Sequence, residues 1–389
     1  MIQNIATNGP KNPDYLRNQM VIGEELAYLD HAAVSPITRP AQVAMFRYID
    51  QVATQGDLSW GEWAKGVEIG RERAAALLSC QIDEIAFIPN TTFGINVIAH
   101  GVPWQPGDNL VVPDNEFPSN LVPWRLLQKR GVEVRIVPTN GDLSLEQLMK
   151  FVDSRTRMVT ISWVHYASGY RIDLAKFCEQ IQSRGAKFFV DAIQGLGAFP
   201  LSVREIPIDF LAADGHKWML GPEGAGLLFI RQRHLDWLEP IMMGWGSLQQ
   251  SHRFDPNEKE LKSQASRYEG GSANMAGLLG FAASLGVLLE AGCHQPSSGI
   301  GERIVATSHF LESGLCRLNA VVYRDPDPLR QSGIVSFEFP GHDSHRVRQI
   351  LLDRNIVLSV RHGRLRAAVH AYNSKQDIER LISALSEFL

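Results

Sequence analysis

The chain has 389 residues, with 38 Lys+Arg against 42 Asp+Glu, a formal net charge of −4, 4 Cys, 33 Gly and 20 Pro. A hydrophobic share of 44% and a charged share of 21% exclude a disordered or collagen-like chain. The near-neutral balance, with no Lys/Arg run, leaves a nucleic-acid partner without an electrostatic footprint, and the length predicts two to three domains or one large domain with a smaller companion.

The first twenty residues lack the charged-then-apolar order of a signal peptide. No apolar stretch approaches the roughly 18 residues of a membrane span. Further along, short apolar runs alternate with helical patterns. Strands are predicted at Glu84–Ile88, Asn109–Val112, Glu133–Val137, Met158–Trp163, Lys187–Val190, Phe210–Ala213 and Gly226–Ile230. Each is rich in β-branched or aromatic residues and bounded by Gly, Pro, Asp or Asn. Helical patterns at Gly94–His100, Asn120–Arg130, Ser144–Phe151 and Leu174–Arg184 separate most of them. That rhythm predicts an α/β fold with a mostly parallel sheet between helices. After about residue 250 the chain turns polar and irregular, and Ala276–Ala291 then reads as a long apolar helix. A small α+β domain follows, with strands at Gly333–Phe339, Val357–Val360 and Leu365–Ala368 and helices at His345–Arg354 and Lys375–Phe388. The four cysteines, Cys80, Cys178, Cys293 and Cys316, have no metal-ligand spacing and read as reduced thiols. The expectation is a cytoplasmic protein with no metal and no membrane partner.

In an open parallel sheet, ligands bind beyond the carboxyl ends of the strands. Asp191 and Gln194 follow one predicted strand there, and His216 and Lys217 follow the next. A strand-end lysine in a dry pocket can form a Schiff base with an aldehyde, and a carboxylate facing it can keep a pyridinium nitrogen protonated. A surface lysine and a helix N-cap are the plain alternatives. Thr91 and Thr92 open a helix, where hydroxyls and free N–H groups suit a phosphate as well as they suit a simple cap. Phe117 could lie on a planar cofactor or in the core. Tyr166 follows Met158–Trp163 and could offer a polar group to the same pocket. A dinucleotide oxidoreductase would need GxGxxG after its first strand; the chain offers only Gly221–Gly226, with the wrong spacing and ahead of a strand.

These residues, and most specifically the span from Val190-Asp-Ala-Ile-Gln194 to Gly215-His-Lys-Trp-Met-Leu-Gly-Pro222, resemble the class V aminotransferase family. That family uses pyridoxal 5′-phosphate (PLP) on fold type I and includes cysteine desulfurases, selenocysteine lyases and isopenicillin N epimerase. The resemblance implies a large domain with a mostly parallel seven-stranded sheet over 31–275 and a small α+β domain over 276–389. Residues 1–30 are then an N-terminal segment packing with the small domain and the substrate pocket.

It further implies that Lys217 is the Schiff-base lysine, that Asp191 pairs with the pyridine nitrogen, and that Gln194 donates to the ring phenolate. Thr91, Thr92 and His216 would hold the phosphate, and Phe117 would stack on the ring with Tyr166 near the phenolate. Ser272, in Arg267-Tyr-Glu-Gly-Gly-Ser272, matches a stretch whose hydroxyl reaches the phosphate of the neighbouring subunit, which implies a homodimer with shared active sites. Arg366 matches the arginine that clamps a substrate carboxylate, and Ala32 and Ala33 line the substrate pocket.

Four departures stand out, one of them Asp214, which stands where many members have a hydroxyl near the phosphate. Desulfurases of the family carry a cysteine on a loop shortly before that arginine, and here Val357–Arg366 is short and has none. Phe117 stands where they have a histidine, and Tyr166 where they have an asparagine. The implied function is a PLP enzyme acting on a small amino acid by transamination or by lyase or epimerase chemistry. The alternatives are a desulfurase-like enzyme lacking the usual loop cysteine and a PLP-binding regulatory protein.

Overall fold

The computed structural model describes residues 15–139, 141–255, 257, 259–294 and 299–388. The first part of the expected N-terminal segment, residues 1–14, lies outside the described residues. Thirteen strands are labelled here in chain order: β1 Ala27–Tyr28, β2 Ile85–Ile88, β3 Asn109–Pro113, β4 Glu133–Val137, β5 Thr156–Ser162, β6 Lys187–Asp191, β7 Phe210–Asp214, β8 Gly226–Ile230, β9 Val321–Tyr323, β10 Ile334–Glu338, β11 Ile356–Val357, β12 Ser359–Arg361 and β13 Arg364–Ala368.

The seven strands β2 to β8 form one sheet in the order β2-β8-β7-β6-β5-β3-β4. Neighbours from β7 to β4 run parallel, and only β8 runs against both of its partners. Every residue of β2, β3, β7 and β8 is buried, as a sheet covered on both faces requires. One face packs Val159, Ile161, Val190, Leu211 and Phe281 into a core; the other packs Leu110, Val112, Met158, Phe189 and Phe210. The period of two along each strand divides its side chains between these layers.

The remaining strands form an antiparallel sheet in the order β12-β13-β10-β9 and a two-stranded pair in which β1 runs parallel to β11. That pairing carries the segment from Tyr28 to Ala33 between the two sheets, with His31 N–H donating to the Ala368 carbonyl. Among the described residues no helix is long and apolar enough to cross a membrane.

Two predicted elements differ from those observed. The helix expected over 120–130 is a broken run of tight turns around a four-residue helix, Val122–Arg125. Pro118 and Pro123 remove backbone donors there and prevent a continuous ladder. The strand expected at Val357–Val360 is divided between β11 and β12, which pair with different partners.

Candidate functional site

A cavity of about 360 Å³ opens at the carboxyl ends of the parallel strands. Thr91 and Thr92 line it from the start of the helix that follows β2, Phe117 from after β3, and Tyr166 from after β5. Asp191 and Gln194 come from β6 and its exit, Asp214, His216 and Lys217 from β7 and its exit. The small sheet contributes Arg361 and Arg366, and the amino-terminal segment contributes Ala32 and Ala33. Eleven residues expected at the site thus converge, and Ser272 alone lies elsewhere. It lines a separate, mostly apolar cavity of about 430 Å³ beside Phe87, Met242, Met243 and Tyr268.

Lys217 is held in a dry setting. Burial pulls its amine down to about 8, against the opposing attraction of Asp191. A primary amine in that range is neutral often enough near neutral pH to act as a nucleophile. Burial pushes the Asp191 carboxyl up to about 6, opposed by the Ile193 N–H, which donates to its Oδ1 at 3.1 Å, and by Lys217. Gln194 is fixed from two sides, donating from Nε2 to the Ala32 carbonyl at 3.0 Å and accepting at Oε1 from the indole N–H of Trp218 at 2.8 Å. Its amide orientation is therefore set, and one N–H remains available.

The helix Thr91–Gly101 starts at the cavity, with the Asn90 side chain accepting from Phe93 N–H. The backbone N–H groups of Thr91 and Thr92 remain without helical partners, as at any helix start. The Asp214 N–H donates to Thr91 Oγ1 at 3.0 Å, and the Thr92 and Ser119 hydroxyls lie 2.7 Å apart. His216 Nδ1 sits 3.1 Å from Asp214 Oδ2, within ion-pair range but misaligned for a hydrogen bond, and Asp214 Oδ1 is buried without a partner. This end of the cavity thus holds backbone and hydroxyl donors with unspent capacity.

At the other end, Arg366 is 1% exposed. It donates from Nε to Ser359 Oγ at 3.1 Å, from Nη1 to the Tyr166 carbonyl at 2.7 Å and from Nη2 to Asp30 Oδ1 at 3.3 Å. One N–H on each terminal nitrogen is left, the pair that a carboxylate accepts bidentately. Burial lowers this guanidinium to about 10. Phe117 lies at the mouth with its ring 5.8 Å from Lys217 Nζ, and its edge meets Tyr166 at a centroid distance of 5.2 Å.

Two groups with no assigned role from sequence alone also belong to the site. Glu116 is buried, accepts from Ser162 N–H and the Ser162 and Asn120 side chains, and its carboxyl is pushed up to about 7 by burial. It ties the Phe117 loop to the end of β5. Asp30 neutralises Arg366 across 336 positions of sequence. Of the basic residues at 361, 362 and 364, only Arg361 reaches the cavity. Arg364 turns away onto the Tyr323 ring, and His362 bonds Tyr166. No cysteine lines the cavity.

The residues present fit a phosphorylated pyridine aldehyde. Unspent donors gather at one end, a buried carboxylate and an amide N–H sit midway, an amine is close by, and a carboxylate clamp lies beyond. Among the described residues no His/Cys/Asp/Glu cluster could hold a metal.

A family model described as "Aminotransferase class-V" matches residues 27–381. A curated relative named "Probable cysteine desulfurase", from Methanothermobacter thermautotrophicus, is 30% identical, covering 96% of this chain and 97% of its own. A "Cysteine desulfurase" of Escherichia coli is 28% identical over 94% of each chain. The apo structure of a cysteine desulfurase from Thermococcus onnurineus superposes with a TM-score of 0.87 at 26% identity, covering 98% of both chains.

Proposed function

This chain belongs to the class V aminotransferase family of PLP-dependent, fold type I enzymes, and we propose that it releases sulfur from L-cysteine and leaves alanine, the acceptor thiol coming from outside the chain. The observation that carries this reading is the pairing, in one cavity, of a dry lysine amine with an arginine clamp and no cysteine. Full-length similarity to proteins named cysteine desulfurase supports the choice of substrate.

When bound, PLP accepts electrons from bonds at the substrate Cα, which lets the neighbouring C–S bond break. Asp191 keeps the ring nitrogen protonated, and Gln194 donates to the ring oxygen. The donors at Thr91, Thr92 and His216 hold the phosphate. Lys217 anchors the cofactor and then moves the Cα proton. Arg366 receives the substrate carboxylate, and Phe117 covers the ring face and excludes water. Ser272 reaches the phosphate of a partner subunit, so the working unit is a homodimer; a monomer by sedimentation at working concentration would sink that element.

The experiment is product analysis with L-cysteine and dithiothreitol. Alanine is the expected carbon product, with the sulfur recovered as dithiothreitol persulfide or as the sulfide which that persulfide releases on cyclising. Pyruvate with sulfide would instead assign elimination. A keto acid formed alongside an aminated cofactor would assign transamination.

A further inference from the structure

β12 and β13 are joined by two residues, His362 and Gly363, with φ of 51° and 76°. Positive φ at both central positions is the tight hairpin turn that matches strand twist. It leaves no room for a longer loop and fixes His362 at the rim, exposed, while Arg361 and Arg366 on the two strands face the cavity. His362 Nε2 lies 2.7 Å from the hydroxyl of Tyr166. Tyr166 lines the cavity. A hydrogen-bonded path of two side chains therefore runs from solvent to the cavity wall. In the tautomer that donates from Nε2, the Nδ1 of His362 is open to the outside.

Of the other titratable groups of the cavity, Asp191 faces Lys217 and Asp30 pairs with Arg366, while Asp214 and His216 lie 3.1 Å apart at the Thr91 end without a hydrogen bond between them. Tyr166 is surrounded by His165 at 5.0 Å, by Phe117 and by His362, and feels the charges of Arg361, Arg366 and Glu116. Burial outweighs the two arginines and raises its hydroxyl, so it stays protonated and able to donate at neutral pH.

We propose that Tyr166 and His362 form a proton relay that carries the acceptor thiol's proton from the cavity mouth to the substrate's Cβ. The proposal rests on the sulfur-release reading above. His362 takes the proton of an incoming thiol, and the thiolate forms an S–S bond to the substrate sulfur as the C–S bond breaks. The bonding pair stays on Cβ, Tyr166 protonates it, and His362 returns its proton to the phenolate. The sum is thiol plus cysteine giving persulfide plus alanine: sulfur is oxidised, carbon is reduced, and no outside oxidant enters.

The test compares wild-type holoenzyme with His362→Asn, in which asparagine tolerates the left-handed turn but carries no base. Alanine formation from L-cysteine with dithiothreitol is measured beside chloride release from β-chloro-L-alanine, which needs neither an acceptor thiol nor a proton at Cβ. The ratio of alanine formed to chloride released should fall at least tenfold, a general acid–base contribution being about 10²–10⁴-fold. Tyr166→Phe should lower the same ratio. An unchanged ratio, whether both rates fall together or neither does, overturns the relay and leaves the sulfur-release reading standing. Chloride release without any alanine in the wild type overturns that reading and the relay with it.

Discussion

The floor of the cavity and its mouth are built on opposite principles. On the floor, three polar groups are braced from behind: Asp191 by the Ile193 N–H, Gln194 by Ala32 and Trp218, and Thr91 by the Asp214 N–H. All of these sit on or just past strands buried on both faces. At the mouth, Phe117 is 43% exposed, and Arg361 donates to the carbonyl of its neighbour Val360. A rigid floor suits chemistry that every substrate shares, since preorganised groups need no rearrangement during reaction. A loosely tied rim suits the choice of substrate and of bond, and three of the departures from the family pattern, Phe117, Tyr166 and the hairpin without a cysteine, fall there, while Asp214 departs on the floor.

The largest expected effect breaks the floor. Lys217→Ala should reduce turnover to background while the fold persists, because it deletes the nucleophile and relieves the burial of an amine. Activity assays beside a thermal melt check both halves; measurable turnover would assign the chemistry to another residue.

Between floor and mouth stands Arg366. Arg366→Ala should raise the KM for amino acids roughly 10–100-fold, from about 1.5–3 kcal/mol for hydrogen bonds to a charged group. It also leaves Asp30 buried without its partner, so the melting temperature should drop, breaking a buried pair costing about 3–5 kcal/mol. Cofactor occupancy, read from visible absorbance, should be retained. Equal loss of occupancy and KM would make the arginine part of the floor.

The two regions also differed in how legible they were. Asp191 and Lys217 end short apolar runs whose pattern marks buried parallel strands, so their place at the strand ends could be read before any contact was known. The mouth is made by pairs remote in sequence. Tyr166 and His362 are 196 positions apart, and nothing local to either points to the other. Asp30 lies in a segment that owes its position to the β1–β11 pairing, and β1 is only two residues long. Two long helices, Arg39–Gln55 and Trp60–Leu78, lie outside the elements that the sequence predicts. The first exposes Val43, Phe46, Ile49 and Val52 on its outer side, which erases the contrast between apolar and polar faces that betrays a surface helix.

The smallest effect sharpens the comparison by pH. Lys217 titrates at about 8 instead of its ordinary 10.5. Cofactor capture by apo-protein needs the neutral amine, so its rate should climb with pH around a midpoint near 8, roughly tenfold between pH 7 and 9. The sign for stability follows from the same depressed value. The folded state binds the proton less tightly than the unfolded one, so the cost of burying the charged amine is full below about 8 and is relieved as pH rises from 8 towards 10.5. Stopped-flow absorbance after adding PLP measures the first, and denaturant melts of apo-protein measure the second. A capture midpoint near 10.5 would mean that the floor is wetter than its burial implies, and the contrast with the mouth would then lose its physical basis.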